Sequence, residues 1–586
     1  MQPLPVIVGT GLTGCAISRA LSRAGIDHLL VGPPPDPEGP RLGESLNLEG
    51  SLDILDYFPE LQAAYTAKSA VTSHLGDIEV RCDLNMQRSR TSAAFYAAIG
   101  YKRPPEAFLH VDRRGFDAAA FASVLASPHC RHVDGRVEAV DHDPASDRVT
   151  RIVLDGGREL RSSTIFDATN HVRAIARHLG LELTTLGPAQ RAVYGHYTFD
   201  GEVTDDERLW LTTHVVRLEP ARDGVDGLAW YIPLRDGIAS FGVGVDLGHG
   251  GDDRTLLDLA YAAIERRAIV PAGRFRGPDK VRTLPRYDHF MYARAFGGNW
   301  LLAGGTFCTT WFPAASGISS GFAAANVAPD FVRDPAAHGP AYETILRTLE
   351  RPHGVFEWIR RVDPSTTSCG EVERRADTLV EQSVIRLLMT VQLRPQRVRG
   401  AVSGAIERLI RRHGFDPSGI CLRVNRPADA AARLATLAQV LEVFAGQRPL
   451  AAIDGLIHRD VVVHIDRLRF TGLGGWKKWA RHSHATWPFE QLRFEVVDHT
   501  YDPAADRLEV GIAAVAVENG VERRSAAERF VYRFEGDMVR EIWTSRRNYS
   551  FLYGAKFARL PGFAAHVARL MWWNRRHPEA GASLSG

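Results

Sequence analysis

The chain has 586 residues, 45% of them hydrophobic and 24% charged, and a net charge of +2. These values predict a globular protein of about two to four domains and exclude both a disordered chain and the strongly basic footprint of a nucleic-acid binder. Six scattered cysteines without a CxxC pair offer no zinc ribbon or disulfide framework and fit a reducing cytoplasm, and no apolar run reaches the roughly 20 residues of a membrane span.

In chain order, VIVGTGLTG (6–14) is a Val/Ile strand running into Gly9, Gly11 and Gly14, and LTGCAISRALSRAG reads as a helix. Because the apolar start belongs to this strand and lacks a cleavage site, no signal peptide is expected. Glycines at this spacing let the backbone turn tightly and approach a pyrophosphate at the helix N-terminus. A carboxylate about 20 residues on ordinarily holds the ribose hydroxyls. Here the second strand, HLLVG, ends instead in Gly32. PPPDPEGP (33–40) is an irregular loop, since proline fixes φ and removes donors. Residues 132–166 read as a β-meander closed by Asp/Gly turns, and 209–246 repeat the strand pattern. Arginine-rich helical spacing over 345–425 predicts a connector, and NRPAD (425–429) a break with Asp429 as helix cap. Beyond it, the helix ADAAARLATLAQVLEVFAG precedes several strands separated by NG and GD turns. The last segment, FARLPGFAAHVARLMWWNRRHP, is a basic, apolar helix expected to bury Trp572 or Trp573 against its own protein rather than lie on a membrane.

Several motifs add to the glycine turn. RLGES (41–45) follows the second strand, HVDRRGFDAAAF (110–121) supplies an Arg-x-x-Phe-Asp helix start, and TIFDATN (164–170) marks a return to the first sheet. LAWYIPLRDGIASFGVGVD (228–246) precedes NWLLAGGTFCTTWFPAASGISSGFAAANVA (299–328). In this order the set resembles the FAD-dependent monooxygenases, most closely their flavin-dependent halogenase branch, over residues 5–335. LAWYIP is the most specific element, similar to the Trp-x-Trp-x-Ile-Pro signature of the halogenases. The resemblance implies a Rossmann-type FAD-binding domain with a β-sheet substrate domain, and a flavin that carries the oxygen chemistry while the protein positions it. It implies that Gly9, Gly11 and Gly14 receive the FAD pyrophosphate. Arg41, Gly43, Glu44 and Ser45 would lie beside the flavin, Arg113, Asp167 and Gly304 would complete the cofactor site, and Pro313, Ser316 and Gly317 would border the ring. A helix beginning near Ser316 would aim N–H groups at the flavin pyrimidine.

The sequence also departs from that family. The first Trp of the signature is Leu228, leaving Trp230. The halogenase lysine position aligns on TSHLGDIE, near His74, with Lys68 as the nearby alternative; a histidine there moves protons but forms no chloramine, which disfavours halogenation. The family's Gly-Asp before the flavin-covering turn is Gly304-Gly305. Two lost carboxylates each remove charge-assisted hydrogen bonds worth roughly 1.5–3 kcal/mol, with Thr306, Thr309 or Thr310 as partial replacements. Loosely held FAD, differently held FAD and a pocket reused without redox chemistry all stay open.

Residues 430–550 resemble the SnoaL-like, NTF2-fold family, on GLIHRDVVVHID, the turn TGLGGW and the closing EGDMVREIWTS. That resemblance implies an α+β cone, which in some members holds an acid–base pair and in others only binds or assembles. Strand alternation puts Val462, His464 and Asp466 on one face, where His464 and Asp466 are expected to serve proton transfer in the cone, with His482, His484, Trp487, Glu518, Trp543 and Arg546 around them. The histidines lack ligand spacing, so no metal is expected. The expected organisation is α/β plus α+β: a flavin unit over 1–345, a helical connector over 346–428, the cone over 429–552 and a basic helix over 553–586. The expected function is a cytoplasmic FAD monooxygenase that epoxidises or hydroxylates an aromatic, polyketide or polyene intermediate of secondary metabolism. Reduced flavin or NAD(P)H would come through a separate reductase, and the cone would open or cyclise the product. The alternatives are a halogenase with a structural C-terminal domain and a redox-silent binding protein or cyclase, with homodimerisation compatible with any of them.

Overall fold

The computed structural model describes residues 3–39, 41–83, 108–204, 206–249, 251–310, 316–364, 366–367, 369–376, 378, 421–425, 430–502 and 505–576. Pro313, the cap Asp429 and most of the expected connector lie outside the described residues. The chain divides into two compact units. The first comprises Met1–Gly76, Arg81–Val362 and Ala376–Leu422; the second comprises Asp77–Val80, Asp363–Arg375 and Arg423–Gly586. No described helix is long and apolar enough to cross a membrane.

The first unit is built on a parallel sheet. Strand β1 (Val6–Val8) runs into helix α1 (Leu12–Arg23) and returns as β2 (His28–Val31), and β1 also pairs with β3 (Ile165–Asp167). Strands Cys130–Val133 and Trp300–Leu302 flank these, all in parallel register. Val6, Ile7 and Val8 are all buried, as strands covered on both faces require. Residues 137–160 form the antiparallel meander expected from sequence, while Ile165–Asp167 leaves it to join the parallel sheet.

A second sheet carries β4 (Leu183–Phe199), β5 (Gly227–Pro233) and β6 (Arg282–Tyr292). Within it the order runs Cys308–Thr309, β6, β4, Ile238–Asp246, β5, Thr212–Leu218, Ala70–Leu75. Every residue of β5 is buried. Alternation sends Ala229 and Tyr231 into one apolar cluster, with Val216 and Phe241, and Trp230 and Ile232 into another, with Tyr194 and Leu284. Helix α2 (Ser316–Arg333) lies against α1, where a Cβ at Gly321 would stand 2.3 Å from Thr13 Oγ1. Helix α3 (Glu350–Arg361) follows.

The second unit is a mixed sheet with helices packed on it. Helix α4 (Ala430–Phe444) packs on strand Gln491–Asp502, and α5 (Leu473–Thr486) on β7 (Ile457–Ile465). Strand β7 lies between Leu468–Thr471 and β8 (Met538–Thr544), with Glu528–Glu535, Arg507–Glu518 and Gln491–Asp502 following in order. Phe444 sits among Trp476, Trp479, Trp487 and Phe494 at ring distances of 5.2–5.9 Å. In the final helix, Leu560–Arg576, Trp573 packs on His482 at 5.9 Å while Trp572 is exposed.

Candidate functional site

The carboxyl ends of β1, β2 and β3 open into a cavity of about 700 Å³ in the first unit. The glycine turn is shaped for close approach. Gly9 has φ +115°, and a Cβ there would stand 2.5 Å from Ala168 O. A Cβ on Gly14 would stand 1.8 Å from Gly9 O, so α1 can lie this close to its strand only with glycine. Gly11 differs: a Cβ there meets nothing within 4 Å, since it faces the cavity. Gly11 caps α1 without a side-chain bond, leaving the first N–H groups of the helix available to an anion.

Arginines reinforce this end. Arg113 donates two bonds to Asp117, at 2.9 and 2.8 Å, and a third to Leu42 O at 3.0 Å. Arg41 Nε reaches the same carboxylate at 3.1 Å, while Tyr194 hydroxyl donates to Arg41 O at 2.9 Å. One carboxylate thus fixes two guanidinium groups on the cavity wall, leaving a net positive charge. Arg136 and His171 line the cavity as well. Ser45, Gly43, Ser316 and Gly317 border it, with Ser316 hydroxyl 2.7 Å from Thr310 hydroxyl.

The two positions that lack an acid have physical explanations. Gly32 takes φ +141° on the cavity wall, a conformation that a side chain would strain. At Gly305, a Cβ would lie 2.3 Å from Asn170 Oδ1. Asn170 therefore fills the space where a residue-305 carboxylate would begin, and its N–H donates to Thr306 Oγ1 at 2.8 Å. An FAD pyrophosphate fits the glycine turn, the helix end and the arginines; its sugar hydroxyls would meet amide and hydroxyl groups, Asn170 and Thr10, instead of carboxylates.

Several expected site residues have other work. Asp167 is buried and accepts from Thr169 N–H and Oγ1 and from the N–H groups of Ile175 and Ala176, so it caps helix Ala174–His178 instead of facing the cavity. Glu44 turns away to His196 Nε2 at 2.6 Å. Gly304 is a packing glycine, φ +56°, against Gly321 N. Trp230 packs under Gly242 and lies 3.3 Å from Ser240 hydroxyl, inside the sheet's apolar cluster. His74 does not line the cavity: it is stacked on His214 with Nε2 3.0 Å from His214 Nδ1, and burial, then the neighbouring histidine, push its pKa down to about 2.

The nearby alternative, Lys68, is placed differently. It is buried, donates to Ser45 Oγ at 3.0 Å and to Leu46 O, and burial lowers its pKa to about 7. Ser45 is also 2.8 Å from Thr213 Oγ1, which lies 2.7 Å from His110 Nε2. A chain of polar groups thus leads from the cavity wall into the protein. Thr213 and His110 carry no sequence signal, because their strands meet Ser45 only through tertiary pairing.

In the second unit, β7 keeps the expected alternation but with the opposite face inward. Val461, Val463 and Ile465 enter the core, the more apolar choice, whereas His464 is half-buried and stacks on Trp543 at 5.2 Å. Asp466 follows the strand and pairs with Arg546 Nε at 2.5 Å. Neither borders the unit's cavity of about 300 Å³, which is walled by aromatic and aliphatic side chains of α4, α5 and the sheet. Glu528 is the carboxylate on that wall, accompanied by Ser525, Asn548 and Tyr549. Of the others, His482 packs on His566 and Trp573, and His484 Nε2 lies 3.0 Å from Phe444 O.

No family model matches the sequence, and no curated protein matches it. Among solved structures, the chain is similar to the flavin-dependent brominase Bmp2 and to a triple mutant of it. Both are 16% identical with a TM-score of 0.50, over 70% of this chain and 98–99% of theirs. A point mutant of the halogenase PltM in complex with FAD is 13% identical over 71% of this chain and 93% of its own, with a TM-score of 0.48. At such identities the likeness is one of fold: a flavin-dependent halogenase fold over about 70% of the chain.

Proposed function

We propose that the first unit binds FAD in the 700 Å³ cavity and oxygenates a small natural-product intermediate, by epoxidation or hydroxylation. The observation that carries this reading is the cavity itself, with an uncapped helix end and paired arginines at one side and the Ser45–Lys68 chain at another. Bound FAD would supply oxygen activation. The residues of the chain divide the remaining work. Gly9, Gly11 and Gly14 admit the pyrophosphate, and Arg41 and Arg113 balance its charge. Leu42, Leu284 and Ile318 exclude water from the interior wall. Lys68, with a pKa of about 7, holds or gives up a proton at Nζ through Ser45 Oγ. A separate reductase would supply reducing equivalents.

Halogenation is a second reading, favoured by the placement of Lys68: the amine is buried, with a pKa lowered to about 7 so that a large share is uncharged at pH 7, and it is linked to the cavity wall. For the second unit, we propose that a SnoaL-like cavity opens or cyclises the oxygenated product, with Glu528 in place of His464 and Asp466 as its acid–base group.

The test is direct. FAD is titrated into the purified protein and followed by flavin fluorescence and equilibrium dialysis. Stoichiometric binding supports the reading; a protein that stays colourless and leaves FAD free overturns both oxygenation and halogenation. With a flavin reductase, NAD(P)H and aromatic or polyene substrates, mass spectrometry with and without bromide separates oxygen insertion from halogen insertion.

A further inference from the structure

His289 of β6 and His353 and Glu357 of α3, none of which lines either cavity, converge within the first unit. Their ligand atoms all lie within 4.8 Å of one another. They surround one point: a Cβ built on Gly187 would stand 3.2 Å from Glu357 Oε1, 3.4 Å from His353 Nε2 and 3.5 Å from His289 Nδ1. Gly187 has no Cβ, and that is what leaves the space between the three.

The local structure directs the side chains there. Gly187 of β4 pairs with His289 of β6, and the register shifts on both sides of that pair. Such irregularities re-aim a side chain out of ordinary alternation. His353 and Glu357 are four residues apart on α3, so they share one helix face. Glu357 Oε2 is held by Arg361 at 2.9 Å, and Oε1 is turned toward Gly187. Arg360, beside them on α3, pairs with Asp246 at 2.5 and 3.0 Å.

We propose that His289, His353 and Glu357 form a binding site for a divalent cation of the zinc class, coordinated by two imidazoles and one carboxylate. Zinc takes such nitrogen and oxygen ligands at about 2.0–2.2 Å, which sets ligand atoms about 3.4 Å apart; small rotamer changes close the present arrangement to that size. Burial keeps both imidazoles neutral, lowering His289 to about 3 and His353 below its ordinary value, and the neutral ring is the ligating form. His353 Nε2 donates to Leu186 O at 3.0 Å; on binding, the ion would take the nitrogen lone pair, and the ring proton would move to Nδ1. The ion would tie α3 to β4 and β6.

The experiment uses the whole chain, stripped with EDTA and titrated with Co²⁺ under visible absorbance, with zinc content measured by plasma mass spectrometry after reloading. One ion per chain, ligand-field bands without thiolate charge-transfer absorption, and a higher unfolding temperature with zinc are the expected results. Glu357→Gln and His353→Gln should each weaken Co²⁺ binding by more than the roughly 10–100-fold that outer-shell changes cost, with far-UV circular dichroism unchanged. Should either fail to fold, Glu357→Asp, which withdraws the carboxylate by one methylene, reads the same loss. A stripped protein that binds no Co²⁺, thiolate bands that place the ion on cysteine, or equal binding by the variants overturns the proposal.

Discussion

Two cavities among the described residues are built from different materials. The larger is walled by glycines, a helix end, hydroxyls and arginines, and its backbone presents the donors. The smaller is walled by Phe444, Trp476, Trp479 and Phe530, with few polar groups. The first presents main-chain donors and positive charge, so its residues are chosen for what they lack, a Cβ. The second excludes water through bulk, so its residues are chosen for what they fill. Substitutions should therefore fail for opposite reasons: overcrowding in one, voids in the other.

The sharpest test of that contrast lies within the glycine turn. Gly14→Val should abolish FAD binding and destabilise the first unit, because its Cβ has no room beside Gly9 O. Gly11→Val places its side chain in open space, so thermal unfolding should change little. Its FAD affinity should still fall by about 100-fold or more, the loss of roughly 3 kcal/mol of anion contact. Equal behaviour of the two variants in calorimetry and flavin titration would break the distinction between packing and ligand-facing glycines.

In the second unit, Phe444→Ala is expected to lower stability by about 3–5 kcal/mol, the usual cost of deleting a buried aromatic ring. Denaturant unfolding reads it. A small apolar ligand should partly restore the loss by filling the void, whereas Gly14→Val should not respond to it.

Much of this was legible in the sequence, for reasons tied to locality. The glycine turn, the body of the meander and the strands of 209–246 are short-range patterns and appear where their periods place them, whereas the two ends of the expected meander join the parallel sheet. The roles of side chains were less legible. Asp167 reads as a cofactor acid but caps a helix that follows within ten residues, since buried carboxylates are drawn to unpaired N–H groups. His74 and Trp230 stand at plausible positions, yet strand pairing turns them into the sheet's interior. The loss of an acid at Gly305 becomes intelligible only beside Asn170, 135 residues away in sequence, whose amide takes that space. His464 shows the limit of alternation: it fixes which residues share a face, while the choice of face depends on which set is more apolar once the helices pack.

Lys68 links the two kinds of construction, since it is a charged group placed in a packed environment. Its pKa is lowered by burial from 10.5 to about 7. Between those values the unfolded chain binds the proton that the native state rejects, so stability rises as pH rises from about 7 toward 10.5 and falls as pH falls through that window. The shift corresponds to up to about 5 kcal/mol, and Lys68→Met should flatten the rise by a large part of that. Urea titrations at several pH values measure it; a slope identical to that of the parent protein would show the amine to be solvated. The same variant should lose bromination, if it occurs, while retaining FAD.

The smallest effects are expected at the pair first suspected in the second unit. Asp466 meets Arg546 at a partly exposed position, where ion pairs contribute about 0–1 kcal/mol. His464 lies against Trp543 on the face away from the core. Asp466→Asn and His464→Gln should therefore leave stability and product profile nearly unchanged. Glu528→Gln, on the cavity wall, should alter the product profile with little effect on folding. Product analysis by chromatography compares all three variants. If His464→Gln changed the products and Glu528→Gln did not, chemistry in this unit would run on the outer face of the sheet, and the contrast between a cavity that binds by bulk and one that binds by charge would no longer describe where its reactions occur.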